Sequence, residues 1–100
     1  MDSVNNKYID KIRSIVLDFF ADFPAEVYLF GSWARGTQRR GSDVDIAIEC
    51  GDAQAERKIA ELREIFEEST IPYRVDLVDM RQAAESLREE IRREGVRWRQ

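Results

Sequence analysis

The chain has 100 residues, of which 43% are hydrophobic and 36% charged, and its formal net charge is −4. We expect one globular domain over residues 1–100, because a chain of this length and composition can bury a core of its own. No histidine is present, which excludes Ser-His-Asp and Cys-His nucleophilic sites and every histidine-based zinc site. The acidic balance argues against direct binding of nucleic acid, since phosphate contacts require a basic face.

Three features of the sequence indicate the cellular compartment of the protein. Cys50 is the only cysteine, so an internal disulfide cannot form, which fits a reducing compartment. No apolar run approaches the roughly 18–20 residues that span a bilayer, and the polar start MDSVNNKYIDKIR is not a secretory signal. We therefore expect a soluble, cytoplasmic protein with no membrane partner.

The first half of the chain predicts one long helix and two strands. Apolar residues recur at helical spacing from about Val4 to Ala21, which predicts an amphipathic helix ended by Pro24. The β-rich run Val27–Phe30 predicts a strand, and a brief helical turn follows it before a polar loop. Asp43–Glu49 predicts a second strand, whose nearly continuous apolar run indicates burial on both faces.

The second half predicts two more helices around a third strand. Asp52 caps a helix that runs to about Ser69, and Tyr73–Val78 alternates as a strand. Asp79 then caps a last helix that Gly95 ends, and the tail VRWRQ either forms a short edge strand or covers the core. The inward faces of these helices are expected to carry Ala55, Ile59, Leu62, Ile65 and Phe66, then Met80, Ala84, Leu87 and Ile91.

This order of elements, α-β-(α)-β-α-β-α, predicts an α/β (α+β) fold. Its sheet is small and mixed, with three to four strands flanked by helices, because each element must bury one apolar face against another. No internal repeat or linker interrupts the chain. The fold class therefore follows from the pattern alone.

Asp43 and Asp45 lie one residue apart at the start of the second strand. Strand side chains alternate, so both point to the same face, where two like charges repel unless a cation lies between them. Carboxylates in this number suit Mg²⁺, which takes one or two of them together with substrate phosphates. A turn leading into an edge strand explains the same pattern, so both interpretations stand at this point.

Two further features belong with the aspartates. Gly31-Ser32 ends a strand, where glycine allows a phosphate to approach backbone N–H groups and a hydroxyl closely; an ordinary capped turn is the alternative. Asp76 lies inside a β-rich strand and is either neutralised by Arg74 or is a third carboxylate beside the other two. Three carboxylates can hold two metal ions and accept the proton of an attacking hydroxyl.

Together these residues resemble a known family. Gly31-Ser32, ten residues and then Asp43-Val44-Asp45 form a pattern similar to that of the nucleotidyltransferase superfamily that includes DNA polymerase beta. The segments GSWARG and GSDVD more closely resemble its minimal nucleotidyltransferase (MNT) branch. RVDLVD resembles the strand that carries the third carboxylate of that family, and IRREGV resembles the way such chains end. The resemblance covers roughly residues 27–96.

The resemblance implies a two-metal site. Asp43 and Asp45 would hold Mg²⁺ on a triphosphate, and Asp76 would complete the catalytic triad as base or metal ligand, with two ions in all. Gly31 and Ser32 would contact the β- and γ-phosphates of ATP or another NTP. The reaction would transfer a nucleoside monophosphate to an acceptor hydroxyl and release pyrophosphate.

Two residues of the helical turn have two interpretations each. Arg35 either adds a phosphate contact to the nucleotide-binding set or is an exposed helix arginine. Trp33 either stacks on a base or packs against a neighbouring helix. Tyr28 and Phe30, in the strand before the turn, are expected in the core.

The acceptor is implied by what the chain does not contain. Many relatives carry further domains for acceptor binding, whereas this sequence has no residues beyond the core. It resembles instead the antitoxin of HEPN/MNT toxin–antitoxin systems, which binds a small helical HEPN-type toxin and can transfer AMP to a tyrosine hydroxyl of it. The base preference, the acceptor and the oligomeric state, a homo-oligomer included, stay open.

Two alternatives to an enzyme also remain. The chain could be a non-catalytic antitoxin that neutralises its partner by complex formation, or a nucleotide-sensing regulatory domain. Retention of all three aspartates with Gly31-Ser32 favours an enzyme, because binding alone does not require them. An exposed apolar patch around Trp98 or on the first helix would support dependence on a partner.

Overall fold

Residues 3–99, the part of the chain that the computed structural model describes, form a four-stranded mixed sheet with helices packed against it. The helices are α1 (Ser3–Phe19), α2 (Ser32–Arg35), α3 (Ala55–Glu67) and α4 (Glu85–Glu94). The strands are β1 (Ala25–Phe30), β2 (Val44–Cys50), β3 (Val75–Asp79) and β4 (Val96–Arg99). This architecture confirms the predicted α/β fold.

The strand order across the sheet is β3-β2-β1-β4. β1 pairs antiparallel with both β2 and β4, whereas β2 and β3 are parallel. A parallel pair needs a crossover connection, and α3 supplies it. The sheet therefore places the end of β1 beside the start of β2, and the start of β2 beside the start of β3.

The larger core lies on the sheet face covered by α1 and α3. Ile12 and Val16 of α1 and Ile59 and Leu62 of α3 are fully or almost fully buried there. The strand residues buried against them include Val27, Leu29, Val44, Ile46, Ile48 and Leu77. Alternation along the strands accounts for this set.

A smaller core lies on the other face of the sheet, under α4. It contains Tyr28, Ala47, Met80 and Ile91. Because α4 covers only part of this face, β2 is apolar on both faces in its middle and carries a carboxylate at its start. This confirms the predicted two-sided burial of the second strand.

Several predicted boundaries were wrong. α1 ends at Phe19 rather than Ala21, and β1 begins earlier than predicted, because Ala25 already pairs with Cys50. Asp52 does not cap α3 directly: its Oδ1 accepts a hydrogen bond from the Gln54 N–H at 2.7 Å and orders the turn before the helix. Ile65, predicted to face inward, is 42% exposed.

The predicted start of the last helix was also wrong. β3 continues to Asp79, and the Met80 N–H donates to the Ile48 carbonyl at 2.9 Å, which extends the ladder. The Asp79 carboxylate accepts a hydrogen bond from the Arg81 N–H at 3.0 Å, so it caps a turn. Ala84 precedes α4, which begins only at Glu85.

The tail forms the edge strand β4, one of the two predicted outcomes. Gly95 ends α4 with an extended conformation, and a Cβ there would lie 2.5 Å from the Ile91 carbonyl oxygen and 3.3 Å from that of Leu29. Trp98 is partly buried and packs against the larger core. Among residues 7–98 the exposed large apolar side chains are Ile65 and Val96. None of the helices within residues 3–99 has the length and apolar character needed to cross a bilayer.

Candidate active site

Asp45 lies at the centre of the predicted site. In the sheet it is paired with Phe30 of β1 on one side and with Asp76 of β3 on the other. Residues in register on neighbouring strands point to the same face, so the carboxylates of Asp45 and Asp76 are neighbours. Two of the three predicted carboxylates are thereby brought together by strand register.

Gly31, which follows Phe30, completes this arrangement. Its backbone has φ 76° and ψ −155°, a region that glycine alone populates readily. A Cβ built on it would overlap the Asp45 Oδ2 atom and lie 3.2 Å from the Asp45 Cγ. Its carbonyl oxygen accepts hydrogen bonds from the N–H groups of Ala34 and Arg35, both at 3.1 Å. The glycine is thus required by a tight turn packed directly on a carboxylate.

The Asp45 carboxyl is partly buried and lies near two other carboxylates. Burial raises the pKa of the Asp45 carboxyl, and repulsion from Asp76 and then Asp43 raises it further, whereas Arg35 lowers it. Asp43 itself is exposed and lies just before β2. Carboxylates that destabilise one another in this way are suited to a divalent cation, which relieves the repulsion and prefers oxygen ligands.

The structure does not bring the three aspartates into one group with the geometry of a metal site. Within the described part of the chain, no three acidic, cysteine or histidine side chains form a group ready to hold a metal ion. The joint assignment of Asp43, Asp45 and Asp76 as metal ligands therefore stays a prediction. The alternative, in which Arg74 neutralises Asp76, finds no support either, since no ion pair joins them among the described residues.

Arg35 borders the site from α2. Its Nη1 atom lies 4.0 Å from Glu94 Oε1 at the end of α4, and both side chains are about half exposed. The guanidinium is close enough to lower the pKa of Asp45. Sequence reasoning missed Glu94, because no spacing signal joins residues so far apart in the chain.

Trp33 is partly buried and packs against the larger core. Its ring contacts Tyr73 edge-on, with centroids 5.2 Å apart, and its Nε1–H donates to the Ser42 carbonyl at 3.4 Å. These contacts favour the packing interpretation over base stacking. They also tie the Gly31-Ser32 turn to the loop that leads into Asp43.

Residues 11–97 match the family described as "Polymerase beta, Nucleotidyltransferase". The chain belongs to this nucleotidyltransferase family. The match spans β1 to β4 and so includes every residue of the predicted site. The family generally uses a divalent metal.

Two curated relatives are named as protein adenylyltransferases. The chain is 34% identical to "Probable protein adenylyltransferase MntA" of Haemophilus influenzae over 82 residues, which are 82% of this chain and 70% of the relative. It is 39% identical to "Protein adenylyltransferase MntA" of Shewanella oneidensis over 69 residues, 69% of this chain and 49% of the relative. The chain thus spans about half the length of the second relative.

Solved structures share the fold. A structure assigned to the minimal nucleotidyltransferases is 33% identical with a TM-score of 0.73, over 90% of this chain and 92% of that one. A toxin–antitoxin structure with AMP-PNP is 31% identical, TM-score 0.69, over 86% and 71% of the two chains. A third structure, of tri-AMPylated Shewanella oneidensis HEPN toxin in complex with MNT antitoxin, contains a chain that is 27% identical with a TM-score of 0.66, over 93% of this chain and 70% of that one. These neighbours confirm the predicted MNT branch.

Proposed function

We propose that this chain is a Mg²⁺-dependent adenylyltransferase that transfers AMP from ATP to a tyrosine hydroxyl of a partner HEPN-type toxin, and so acts as an antitoxin. The observation that carries this function is the position of the Asp45 carboxylate, between the Gly31 turn and Asp76. Relatives named as protein adenylyltransferases and a neighbouring complex with an AMPylated HEPN toxin support the acceptor.

Each residue of the site has a role in this reaction. Gly31 and Ser32 bind the β- and γ-phosphates, because the missing Cβ allows close approach of the backbone. Arg35 adds a positive charge on the same side. Asp43, Asp45 and Asp76 would hold two Mg²⁺ ions, which neutralise the charge that develops on the phosphates when bound.

Asp76 also accepts the proton of the acceptor hydroxyl. The acceptor Oη forms a bond to the α-phosphorus while the bond from that phosphorus to the β-phosphate bridging oxygen breaks, and pyrophosphate leaves. The hydroxyl proton passes to the Asp76 carboxylate, which is exposed and can then release it to water. Atoms and charges balance without any further reactant.

The acceptor is proposed to be a protein in the cytoplasm. A net charge of −4 disfavours a nucleic acid acceptor, whose binding depends on phosphate contacts. Cys50 is a buried, free thiol, which fits a reducing compartment. Whether the protein forms a homo-oligomer is independent of this reaction.

A non-catalytic antitoxin is the second candidate. It is favoured by one observation: no three side chains of the described residues form a ready metal site. Against it stands the retention of Asp43, Asp45 and Asp76 together with Gly31-Ser32, since a module that only binds a partner does not require these residues. An occluding antitoxin should tolerate loss of the Asp45 charge, whereas the enzyme should not.

Intact-mass spectrometry of a candidate HEPN-type partner, incubated with the chain and Mg-ATP, tests the function. We expect the partner to gain one or more AMP masses with the wild type and with the control Asp22→Asn, and none with Asp45→Asn. A stable complex without any mass gain, from the wild type as from Asp45→Asn, would leave the non-catalytic antitoxin as the better description.

A further inference from the structure

Asp43 differs from the other two carboxylates of the candidate site because it lies outside the strands. β2 begins at Val44, whereas Asp45 and Asp76 are paired within the sheet. The charge of Asp43 raises the pKa of Asp45, so the two carboxylates are near each other. Among residues 7–98, no hydrogen bond or ion pair from another side chain holds the Asp43 carboxylate. Its direction therefore depends on the peptide groups on either side of it.

Both of these peptide groups are held by hydrogen bonds. The carbonyl before Asp43, that of Ser42, accepts a hydrogen bond from the Trp33 Nε1–H at 3.4 Å. The N–H after Asp43, that of Val44, donates to the Arg74 carbonyl at 2.9 Å. Only the first of these bonds comes from a side chain, so a substitution can remove it without changing the backbone pairing of the sheet.

The turn that leads into Asp43 is closed on itself. The Ser42 N–H donates to the Arg39 carbonyl at 2.9 Å, and the Ser42 Oγ accepts a hydrogen bond from the Arg39 N–H at 2.8 Å. Gly41, between them, has a φ of 86°, which a turn of this kind requires. These two bonds stay within the turn, whereas the bond from Trp33 connects the turn to α2.

Trp33 is itself anchored on the side of the sheet away from the carboxylates. Its ring meets Tyr73 edge-on with centroids 5.2 Å apart, and Tyr73 meets Tyr8 of α1 in the same way at 5.7 Å. Trp33 and Tyr73 pack against the larger core, whereas alternation directs Asp45 to the other face. Any effect of Trp33 on the site therefore passes through the Ser42 carbonyl and not through a side-chain contact.

We infer that Trp33 is a positioning residue of the proposed adenylyl transfer: by holding the Ser42 carbonyl, it directs the Asp43 carboxylate toward the metal site. Trp33 directly follows Ser32 in α2, so the phosphate-binding turn and Asp43 are held as one unit. Groups that orient the ligands of a metal ion change its affinity, and a divalent cation needs its oxygen ligands in defined directions. This role rests on the proposed function, because it assigns Trp33 to the metal site of that reaction.

NMR of the ¹⁵N-labelled chain, with Mg²⁺ alone as the probe, tests this role without relying on turnover. Trp33→Phe keeps a ring beside Tyr73 but loses the indole N–H. Trp98→Phe is the matched control, because Trp98 is the other tryptophan of the chain and also packs against the larger core. Before Mg²⁺ is added, we expect Trp33→Phe to shift the Asp43 amide and Trp98→Phe to leave it in place. The Kd for Mg²⁺, followed at the Asp45 amide, should rise about fivefold in Trp33→Phe and stay at the wild-type value in Trp98→Phe.

Four results would overturn the positioning role: a wild type that does not bind Mg²⁺ alone, an Asp43 amide that does not move in Trp33→Phe, the same Kd in Trp33→Phe as in the wild type, or an equal rise in both variants. A rise that appears only when a non-hydrolysable ATP analogue is present would also overturn it, because Trp33 would then contact the nucleotide.

AMP transfer to the whole partner separates this role from the proposed function. Transfer by Trp33→Phe that equals that of the wild type at every Mg²⁺ concentration removes the positioning role alone. Transfer absent from the wild type, with the Kd for Mg²⁺ raised in Trp33→Phe and not in Trp98→Phe, removes the reaction alone.

Discussion

The Asp45 carboxylate occupies the space that a Cβ at position 31 would need. Register explains why: Asp45 pairs with Phe30, so the next residue of the chain turns directly over the carboxylate. A glycine at the end of one strand and an aspartate at the start of the next are therefore one structural unit. Their separation in sequence is the length of the loop that joins the two strands.

Gly31→Ala should be much more harmful than Gly36→Ala. Gly36 has a similar φ of 75°, but its ψ of 19° lies in the left-handed helical region and nothing lies within 4 Å of an added Cβ. We expect Gly36→Ala to lower the free energy of unfolding by about 1 kcal/mol. Gly31→Ala should lower it by about 3 kcal/mol and abolish ATP binding, as measured by urea unfolding and calorimetry. Equal losses in the two variants would contradict the Gly31–Asp45 contact.

Asp45→Asn should stabilise the metal-free protein while abolishing transfer. The pKa of Asp45 is raised from its ordinary 3.8 by burial and then by Asp76. As the pH rises from 3.8 through the raised pKa, the unfolded chain has released a proton that the folded chain still holds, so Asp45 lowers the stability. Asparagine has no carboxyl group and so removes this loss of stability. At pH values above the raised pKa, we therefore expect the Tm of Asp45→Asn to exceed that of the wild type by about 1–4 °C.

Differential scanning calorimetry in EDTA and in Mg²⁺ checks this expectation. Mg²⁺ should raise the Tm of the wild type and leave that of Asp45→Asn nearly unchanged, and AMP transfer should fall about 100-fold or more. Asp22→Asn, an exposed substitution outside the site, serves as the control. A lower Tm for Asp45→Asn than for the wild type in EDTA at neutral pH would show that the repulsion is not the dominant effect.

Glu26 should make the stability depend on pH with a sign opposite to that of Asp45. Its carboxylate accepts a hydrogen bond from the Tyr28 hydroxyl at 2.6 Å and pairs with Arg97 at 3.0 Å, and these contacts lower its pKa from 4.5. The stabilisation is therefore present above 4.5 and is lost as the pH falls through the lowered pKa. We expect the Tm difference between wild type and Glu26→Gln to be positive at pH 7 and to vanish in strong acid. A difference that does not change with pH would mean that the charge of Glu26 has no role.

The elements and the central part of the site could be predicted from the sequence because they depend on local patterns. Helical spacing, the alternation of Asp43 and Asp45 and the glycine after β1 each act within a few residues. Boundaries were harder: Asp79 has the side chain of a helix cap, but the pairing of Met80 with Ile48 extends the strand beyond it. Tertiary pairing outweighed the local cap at this point.

Contacts between distant elements could not be predicted. Glu94 reaches Arg35 only because α4 returns to the sheet beside α2. Ile65 shows the same limit, since helical spacing allowed it an inward position that α3 does not give it. These features depend on how elements are oriented, which a single sequence does not encode locally.

Arg35→Ala should weaken ATP binding without unfolding the protein. Arg35 is the cation that lowers the pKa of Asp45, and its ion pair with Glu94 is long, at 4.0 Å, and half exposed, so it contributes little to stability. A charge-assisted contact to a phosphate is worth enough to raise the KM for ATP about tenfold when it is lost. Glu94→Gln is the matched variant: it removes the competing carboxylate and should leave the KM unchanged or lower it. If both substitutions raise the KM equally, Arg35 acts through its pair with Glu94 and does not contact the nucleotide.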